Sequence, residues 1–316
     1  MTATSATQPG RPTLLVSPAT GRALVDVGGA YATANGLERY PIRGGIADLV
    51  ADDLLDDEAR REMDSFATNP TIGACYFRRS VFTRAIGALR RALGPVEREL
   101  RFAELGGGAG YLSGHVAEAF ASREVYVCDL SRQYLELAPA ALHRVCCDVR
   151  LPVFGSGTMD AAALWVTLHH FSPADAARVL HQAYQALRPG GVLMVFEPNR
   201  RFFPRRVLMG MSSLRRRVYF DSAERHLDLK ECRAAAAEAG FQEVCTQFVN
   251  PPYAWEFVRR LGSGPAFFPA TELLHLCDRV GVSAVLDGLT RLVGGRGLWG
   301  LYFLTLFRKP PGLEGC

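Results

Sequence analysis

The stretch Glu104-Leu105-Gly106-Gly107-Gly108-Ala109-Gly110 follows Arg101-Phe102-Ala103, a short run that can end a strand. It precedes a helical run from Tyr111 to Phe120. A chain that turns this tightly from strand to helix brings backbone N–H groups and a helix N-terminus to one point. Gly106, Gly108 and Gly110 allow left-handed backbone there and let a ligand approach without a Cβ in the way. Such turns also serve dinucleotides and plain tight packing, so the loop by itself does not name its ligand. What it constrains is the architecture around it.

From 101 to 198 the sequence alternates between strand-like and helix-like runs. Strands are expected at 101–105, 124–129, 144–148, 160–167 and 191–197, and helices at 111–121, 132–140 and 173–187. That order implies βαβ units, a Rossmann-like, mostly parallel sheet and helices on both faces. Leu187-Arg188-Pro189-Gly190-Gly191 reads as a helix end and turn before an apolar strand. Beyond Pro198 come an arginine-rich stretch at 199–222, a helix at 224–240, a strand at 241–249, an apolar insertion at 251–298 and a closing strand at 301–307. The core is expected at 101–250 and 299–310. Before it stand a start expected to be disordered (1–12), a small β unit (13–50) and a helical cap over the site (51–100).

With 316 residues the chain can bury a full core. A net charge of +4 is too small to imply a nucleic-acid partner, and none is expected. The first residues show no secretory signal, and no apolar run is long enough to span a membrane. The eight cysteines contain no Cys-x-x-Cys pair, which reads as free thiols in a reducing cytoplasm. Adjacent Cys146 and Cys147 read as core filler.

Leu14-Leu15-Val16 and Tyr40 to Leu49 look like short strands and turns. The segment resembles the zinc ribbon of tRNA-methyltransferase activators, also found fused ahead of bacterial methyltransferases. Ser17-Pro18-Ala19-Thr20 stands where that family has its first cysteine knuckle, and Tyr31 to Glu38 has no cysteine where the second would be. Zinc needs thiolate or imidazole ligands, so no metal is expected, and a packing or docking remnant or an irregular β appendage are the two readings.

Three acids accompany the glycine loop. Asp129 ends the next strand, about twenty residues on, placed to take the hydroxyls of a ribose. Asp148 ends the strand after it and can accept from an adenine amino group. Glu104 opens the turn and can orient the loop or a ligand's ammonium group. With Val127-Cys128-Asp129-Leu130, Cys147-Asp148-Val149, Leu151-Pro152, Trp165 to Phe171 and Leu187 to Pro198, the chain resembles the class I S-adenosylmethionine-dependent methyltransferases. The resemblance implies a seven-stranded sheet and S-adenosylmethionine as cofactor. It implies that Gly106, Gly108 and Gly110 approach the methionyl part, Asp129 holds the ribose, Asp148 meets the adenine, and Leu130 and Val149 pack on its ring. A nicotinamide fingerprint fits less well, since the third glycine comes one residue early.

Methyl transfer needs an acceptor held in line and, for a hydroxyl, a group to take its proton. His169 and His170, after the fourth strand, are candidate bases with a pocket-shaping role as the alternative. Glu197, ending the fifth strand, is another, with capping of the next turn as its alternative. Tyr76, Arg78 and Arg79 are placed to close the cofactor pocket from above. Arg200, Arg201, Arg205, Arg206 and Arg215 to Arg217 suit an acidic substrate, an anionic membrane surface or a solvated face. The 251–298 insertion is apolar enough for a lid or a homodimer face. The expected activity is methylation of a small molecule, oxygen favoured over nitrogen or carbon, on a bulky natural-product, lipid-linked or glycan intermediate. The alternatives are a nucleic-acid or protein methyltransferase and a catalytically silent subunit.

Overall fold

A computed structural model describes residues 11–50, 54–57, 59, 60, 63, 77, 79–96, 98–202, 227–249, 285, 289, 292 and 300–312. Five short strands come first: β1 (Arg11–Val16), β2 (Ala23–Asp26), β3 (Ala30–Thr33), β4 (Arg39–Arg43) and β5 (Ile46–Asp48). The later strands are β6 (Phe102–Leu105), β7 (Val125–Asp129), β8 (His143–Cys146), β9 (Met159–Trp165), β10 (Leu187–Pro198), β11 (Gln242–Val249) and β12 (Tyr302–Arg308). The helices are α1 (Arg79–Leu93), α2 (Tyr111–Phe120), α3 (Arg132–Leu137), α4 (Pro173–Ala186) and α5 (Leu229–Glu238), with a 3-10 turn at Leu168–His170.

The strands join in one sheet of order β1-β2-β3-β4-β5-β8-β7-β6-β9-β10-β12-β11. Neighbours from β8 to β10 pair in parallel, and β12 is antiparallel to both β10 and β11. Side chains alternate between the two faces, as a sheet buried on both sides requires. Phe102, Val125, Val127, Ala161, Ala163 and Trp165 pack towards α1 and α2. Ala103, Leu105, Tyr126, Cys128, Ala162 and Leu164 pack towards α4 and α5. On the α1 face Phe82, Trp165, Phe196 and Tyr302 stack in sequence, with centroids 5.4, 4.1 and 4.9 Å apart. Phe77 meets all four of these rings edge-on.

The expectation of a seven-stranded sheet is corrected: among the described residues the sheet has twelve strands. Its seven later strands run 3-2-1-4-5-7-6 in their own chain order, and the five early strands extend it beyond β8. An open edge on β8 would leave a row of backbone donors and acceptors unpaired. β5 takes that edge in parallel register, Ile46 opposite Arg144 and Asp48 opposite Cys146. The early unit is stitched on at a second place. Val16 N–H donates to the Val153 carbonyl and Gly155 N–H to that of Leu14, both at 2.9 Å. It thus touches the chain on both sides of residues 147–152. Its zinc-ribbon likeness rests on the sequence resemblance alone. At the first knuckle position, Ser17 Oγ accepts from the N–H groups of Ala19 and Thr20 at 3.2 Å and lies 3.0 Å from the Tyr40 hydroxyl.

Two local expectations also shift. The third core strand stops at Cys146, so Asp148 lies in the loop beyond it. Arg188 to Gly191 is an irregularity within β10 rather than a turn ahead of it, because Leu187 already pairs with Met159. Most of the cap at 51–76, most of the basic stretch after Phe202 and nearly all of the apolar insertion lie outside the described residues. Among the described residues no helix is long and apolar enough to cross a membrane.

Candidate active site

Chain order reverses between β6 and β9, which lie side by side at the centre of the sheet. Ligands of open α/β sheets sit outside the carboxyl ends of the strands at such a point. Here those ends carry Glu104, Asp129, Asp148, Thr167 and Glu197.

The glycine turn is built by its neighbours. The N–H groups of Gly106 and Gly107 donate to the Cys128 carbonyl at 2.8 and 2.9 Å, so β7 fixes the start of the turn. Gly106 has φ of +72°, and a Cβ there would lie 2.3 Å from Thr167 Cγ2. No side chain fits that contact, and the left-handed backbone disfavours one as well. Gly108 differs: a Cβ would meet nothing nearer than 3.9 Å, so the glycine leaves open space beside Tyr134 and Asp129. Gly110 starts α2 in a left-handed conformation.

Two buried carboxylates flank the turn. Glu104 Oε2 accepts from the N–H and hydroxyl of Ser113 at 2.9 and 2.6 Å, tying the end of β6 to the first turn of α2. Burial pushes the Glu104 carboxyl up to about 7, against the Ser113 bonds and with some help from the charge of Asp129. Asp129 accepts from Gly108 N–H on one oxygen and from Ser131 N–H on the other, each at 2.8 Å. Burial raises it to about 6, against those backbone bonds. Neither acid has an ion pair with arginine or lysine among the described residues. Leu130 beside Asp129 is half-buried, and Val149 is buried.

Across the reversal point, β9 ends in strain. Val166, a β-branched residue, has φ of +57°, a rare conformation that costs on the order of 1–3 kcal/mol and clusters at functional sites. It turns Thr167 onto the glycine loop, where the hydroxyl donates to the Gly106 carbonyl at 3.1 Å. Glu197, fully buried, holds the following turn. Its Oε1 accepts from the N–H groups of Thr167 and Leu168 at 2.7 and 2.6 Å, and its Oε2 lies 2.8 Å from His169 Nδ1. The His169 and His170 rings are tilted against each other with centroids 4.1 Å apart. Burial, with the neighbouring His169, pushes His170 down to about 3, which keeps it neutral at ordinary pH.

The structure therefore gathers Glu104, Gly106, Gly108, Gly110 and Asp129 at one end of the strand edge and His169, His170 and Glu197 across it. Asp148 lies in the neighbouring loop in a fork with Arg150. Tyr76 and Arg78 lie outside the described residues, and Arg79 is exposed and pairs with Glu118 of α2. Arg200 and Arg201 pair with Asp228 and Glu231, and Arg205, Arg206 and Arg215 to Arg217 lie outside the described residues. Sequence reasoning missed Ser113, Thr167 and Arg150 as partners of the site. Ser113, nine residues after Glu104, faces back towards it from the first turn of α2; only that spacing could have signalled the pair. Among the described residues no group of three or more His, Cys, Asp or Glu side chains is placed to hold a metal ion.

The donor set fits S-adenosylmethionine. Buried carboxylates without an arginine or lysine partner among the described residues suit a ligand that brings an ammonium group, a sulfonium and two ribose hydroxyls, and the open space at Gly108 lies beside Asp129.

Residues 102–191 match the family model of a methyltransferase domain. No curated protein matches the chain. Among solved structures, Haemonchus contortus phosphoethanolamine N-methyltransferase 2, in complex with S-adenosylmethionine, is 17% identical with a TM-score of 0.52. That match covers 83% of this chain and 61% of that one, so the chain spans less than two thirds of that enzyme. The 4+2 cyclase SpnF is 18% identical with a TM-score of 0.50, over 76% of this chain and 85% of that one. Geranyl diphosphate C-methyltransferase from Streptomyces coelicolor A3(2) is 11% identical with a TM-score of 0.50, over 81% of this chain and 98% of that one. Such likenesses establish the fold and leave the acceptor open. Residues 102–191 are thus similar to a methyltransferase domain, and the chain shares the fold of these solved structures.

Proposed function

We propose that this S-adenosylmethionine-dependent methyltransferase methylates a small molecule, oxygen favoured over nitrogen or carbon. The observation that carries the reading is the pair of buried acids at the glycine turn, which have no arginine or lysine partner among the described residues and are set across the strand reversal from the Glu197–His169 pair. When bound, the cofactor supplies an electrophilic methyl group on a sulfonium. Asp129 holds the ribose hydroxyls, Glu104 orients the ammonium end, and Asp148 accepts from the adenine amino group, with Leu130 and Val149 against the ring.

Glu197 acts as a positioning residue, since its fully buried carboxylate holds two backbone N–H groups and the His169 ring. Donation from Nδ1 to Glu197 leaves Nε2 as the basic nitrogen of His169, the atom that takes a hydroxyl acceptor's proton. His170, held neutral, shapes the pocket and is too weak a base to share that task. An acidic acceptor is favoured. Structural neighbours are named for geranyl diphosphate and phosphoethanolamine, both phosphate-bearing small molecules, and the arginine-rich stretch suits such a group.

Calorimetry with S-adenosylhomocysteine tests the cofactor site. Asp129→Ala should weaken binding about 100-fold, the loss of a buried acid that takes two hydroxyls. Unaltered binding in that variant sinks the assignment. Labelled methyl transfer to a panel of phosphorylated alcohols, amines and prenyl diphosphates tests the acceptor. Label found only on nitrogen or carbon removes the preference for oxygen and the base role of His169 with it.

A further inference from the structure

A chain of hydrogen bonds joins the two sides of the strand reversal. At the glycine turn, the Gly106 carbonyl accepts from the Thr167 hydroxyl at 3.1 Å. The Thr167 N–H donates to Glu197 Oε1 at 2.7 Å, and Glu197 Oε2 lies 2.8 Å from His169 Nδ1. Glycine turn, Thr167, Glu197 and His169 are thus linked without a gap. Shape reinforces the bonds. A Cβ on Gly106 would lie 2.3 Å from Thr167 Cγ2 and 3.0 Å from Oγ1, so the threonine fills the place that a side chain on Gly106 would take. Thr167 and Glu197 are both buried, which keeps water from competing for these bonds. The corner that delivers Thr167 is also held from β10. Val166 N–H donates to the Phe196 carbonyl at 2.7 Å, with Val166 at its left-handed φ of +57°. A β-branched residue stays in that conformation only where its surroundings over-determine it. Ending β9 would need neither this strain nor a contact with the turn after β6.

We propose that Thr167 is a positioning residue that keeps the methyl donor and the base in register. Its hydroxyl ties the glycine turn, on the cofactor side, to the Glu197–His169 pair, on the acceptor side. The inference rests on the reading of this edge as a methyl-transfer site with His169 as its base. In-line transfer needs the reacting groups held in close register, and a misplacement of about 1 Å costs about 100-fold. Donor and base follow different strands, β6 and β9, so local structure alone does not fix their spacing. The Thr167 tie does. The same chain carries a signal. A ligand that shifts the Gly106 peptide alters the bond at Thr167, and through Glu197 it alters the bond at His169 Nδ1.

The test is a nuclear magnetic resonance titration of the full chain, carrying isotope-labelled histidine, with S-adenosylhomocysteine. The His169 ring signals, assigned by their loss in His169→Gln, should shift as the ligand binds to the wild type. Thr167→Val keeps the shape and removes the hydroxyl. It should bind the ligand within about fivefold of the wild type. Its His169 shift should fall below about a quarter of the wild-type size. With the acceptor found by labelled methyl transfer, kcat should fall about 50-fold while KM stays within about twofold. Thr167→Ser keeps the hydroxyl and should restore both the shift and most of kcat. Thr167→Ala should behave as Thr167→Val and covers the case in which that variant does not fold. A full His169 shift without the hydroxyl overturns the proposal. So does a Thr167→Ser variant no better than Thr167→Ala, which would reduce Thr167 to a packing residue. A lost shift with unaltered kcat leaves a tie that plays no part in transfer and overturns the register. A wild type that binds the ligand with no shift at His169 overturns the tie and leaves the cofactor reading standing. No binding at all removes the cofactor reading, and the proposal with it.

Discussion

The two edges of the central sheet hold their buried acids in opposite ways. At the carboxyl edge, Glu104 and Asp129 rest on backbone N–H groups and a serine hydroxyl, and burial raises them to about 7 and about 6. At the amino edge, Asp160 on β9 is just as buried, yet it is held by Arg98 at 2.7 Å, Arg188 at 2.5 Å and the Arg101 N–H at 2.9 Å. An acid clamped by two guanidinium groups is a fastener between segments. An acid left without a cation destabilises the empty protein and is relieved by a ligand that brings the missing positive charge and hydroxyls. The contrast favours the carboxyl edge as the place of the proposed cofactor site. Asp148 stands between the classes, an acid of the carboxyl edge that carries its own arginine.

Neutralising an acid without changing its shape should therefore have opposite signs at the two edges. Asp160→Asn leaves two arginines facing an amide. Removing one partner of a buried pair costs about 3–5 kcal/mol. Arg98 and Arg188 are 48% and 39% exposed, so solvent recovers part of that, and about 2 kcal/mol is expected at pH 7. Urea unfolding measures it, and a loss under about 0.5 kcal/mol would erase the distinction between the edges.

Glu104→Gln should stabilise. The folded-state value near 7 lies above the ordinary 4.5, so the folded protein binds more protons than the unfolded chain between those values. Stability from this group is complete below about pH 4.5 and is lost as pH rises through 7. At pH 8 the ionised carboxylate costs up to about 3 kcal/mol. The glutamine carbonyl can still accept from Ser113, so the variant should gain about 1–3 kcal/mol at pH 8, gain nothing at pH 4, and flatten the decline between them. Cofactor affinity should fall about tenfold as the ammonium contact weakens. A pH profile parallel to the wild type would mean that Glu104 titrates normally and that the carboxyl edge is not preloaded for a cation.

Much of this contrast could be read along the chain, and the rest depends on tertiary pairing. Strand, glycine turn and helix at 102–120 are local, so the position of Glu104, Gly106 and Asp129 followed from spacing. The five strands β6 to β10 followed from the βα alternation, and β11 and β12 were legible as apolar runs after it, whereas the reversal between β6 and β9 appears only in the pairing. The capture of the β8 edge by β5 did not follow, because Ile46-Ala47-Asp48 is too short to announce a partner almost a hundred residues away. Nor did the clamp on Asp148, since Arg150 lies two residues on and its second fork depends on how Asp56 folds back. Glu197 was legible as a strand-end acid. Its use, holding the turn at Thr167 and Leu168, needed the parallel register of β9 with β10.

The smallest effect is expected where an arginine–carboxylate pair is present and burial is not. Arg79 Nη2 lies 3.0 Å from Glu118 Oε1, close in geometry to the Arg98–Asp160 pair, and joins α1 to α2. Here the side chains are 73% and 65% exposed. Water screens the attraction, two long side chains lose freedom to form it, and such pairs contribute about 0–0.5 kcal/mol. Arg79→Ala should leave the unfolding midpoint within that range, and whatever it loses should vanish at high salt. A loss comparable to that of Asp160→Asn would show that the guanidinium–carboxylate contact itself, rather than its removal from water, sets the strength of the amino edge.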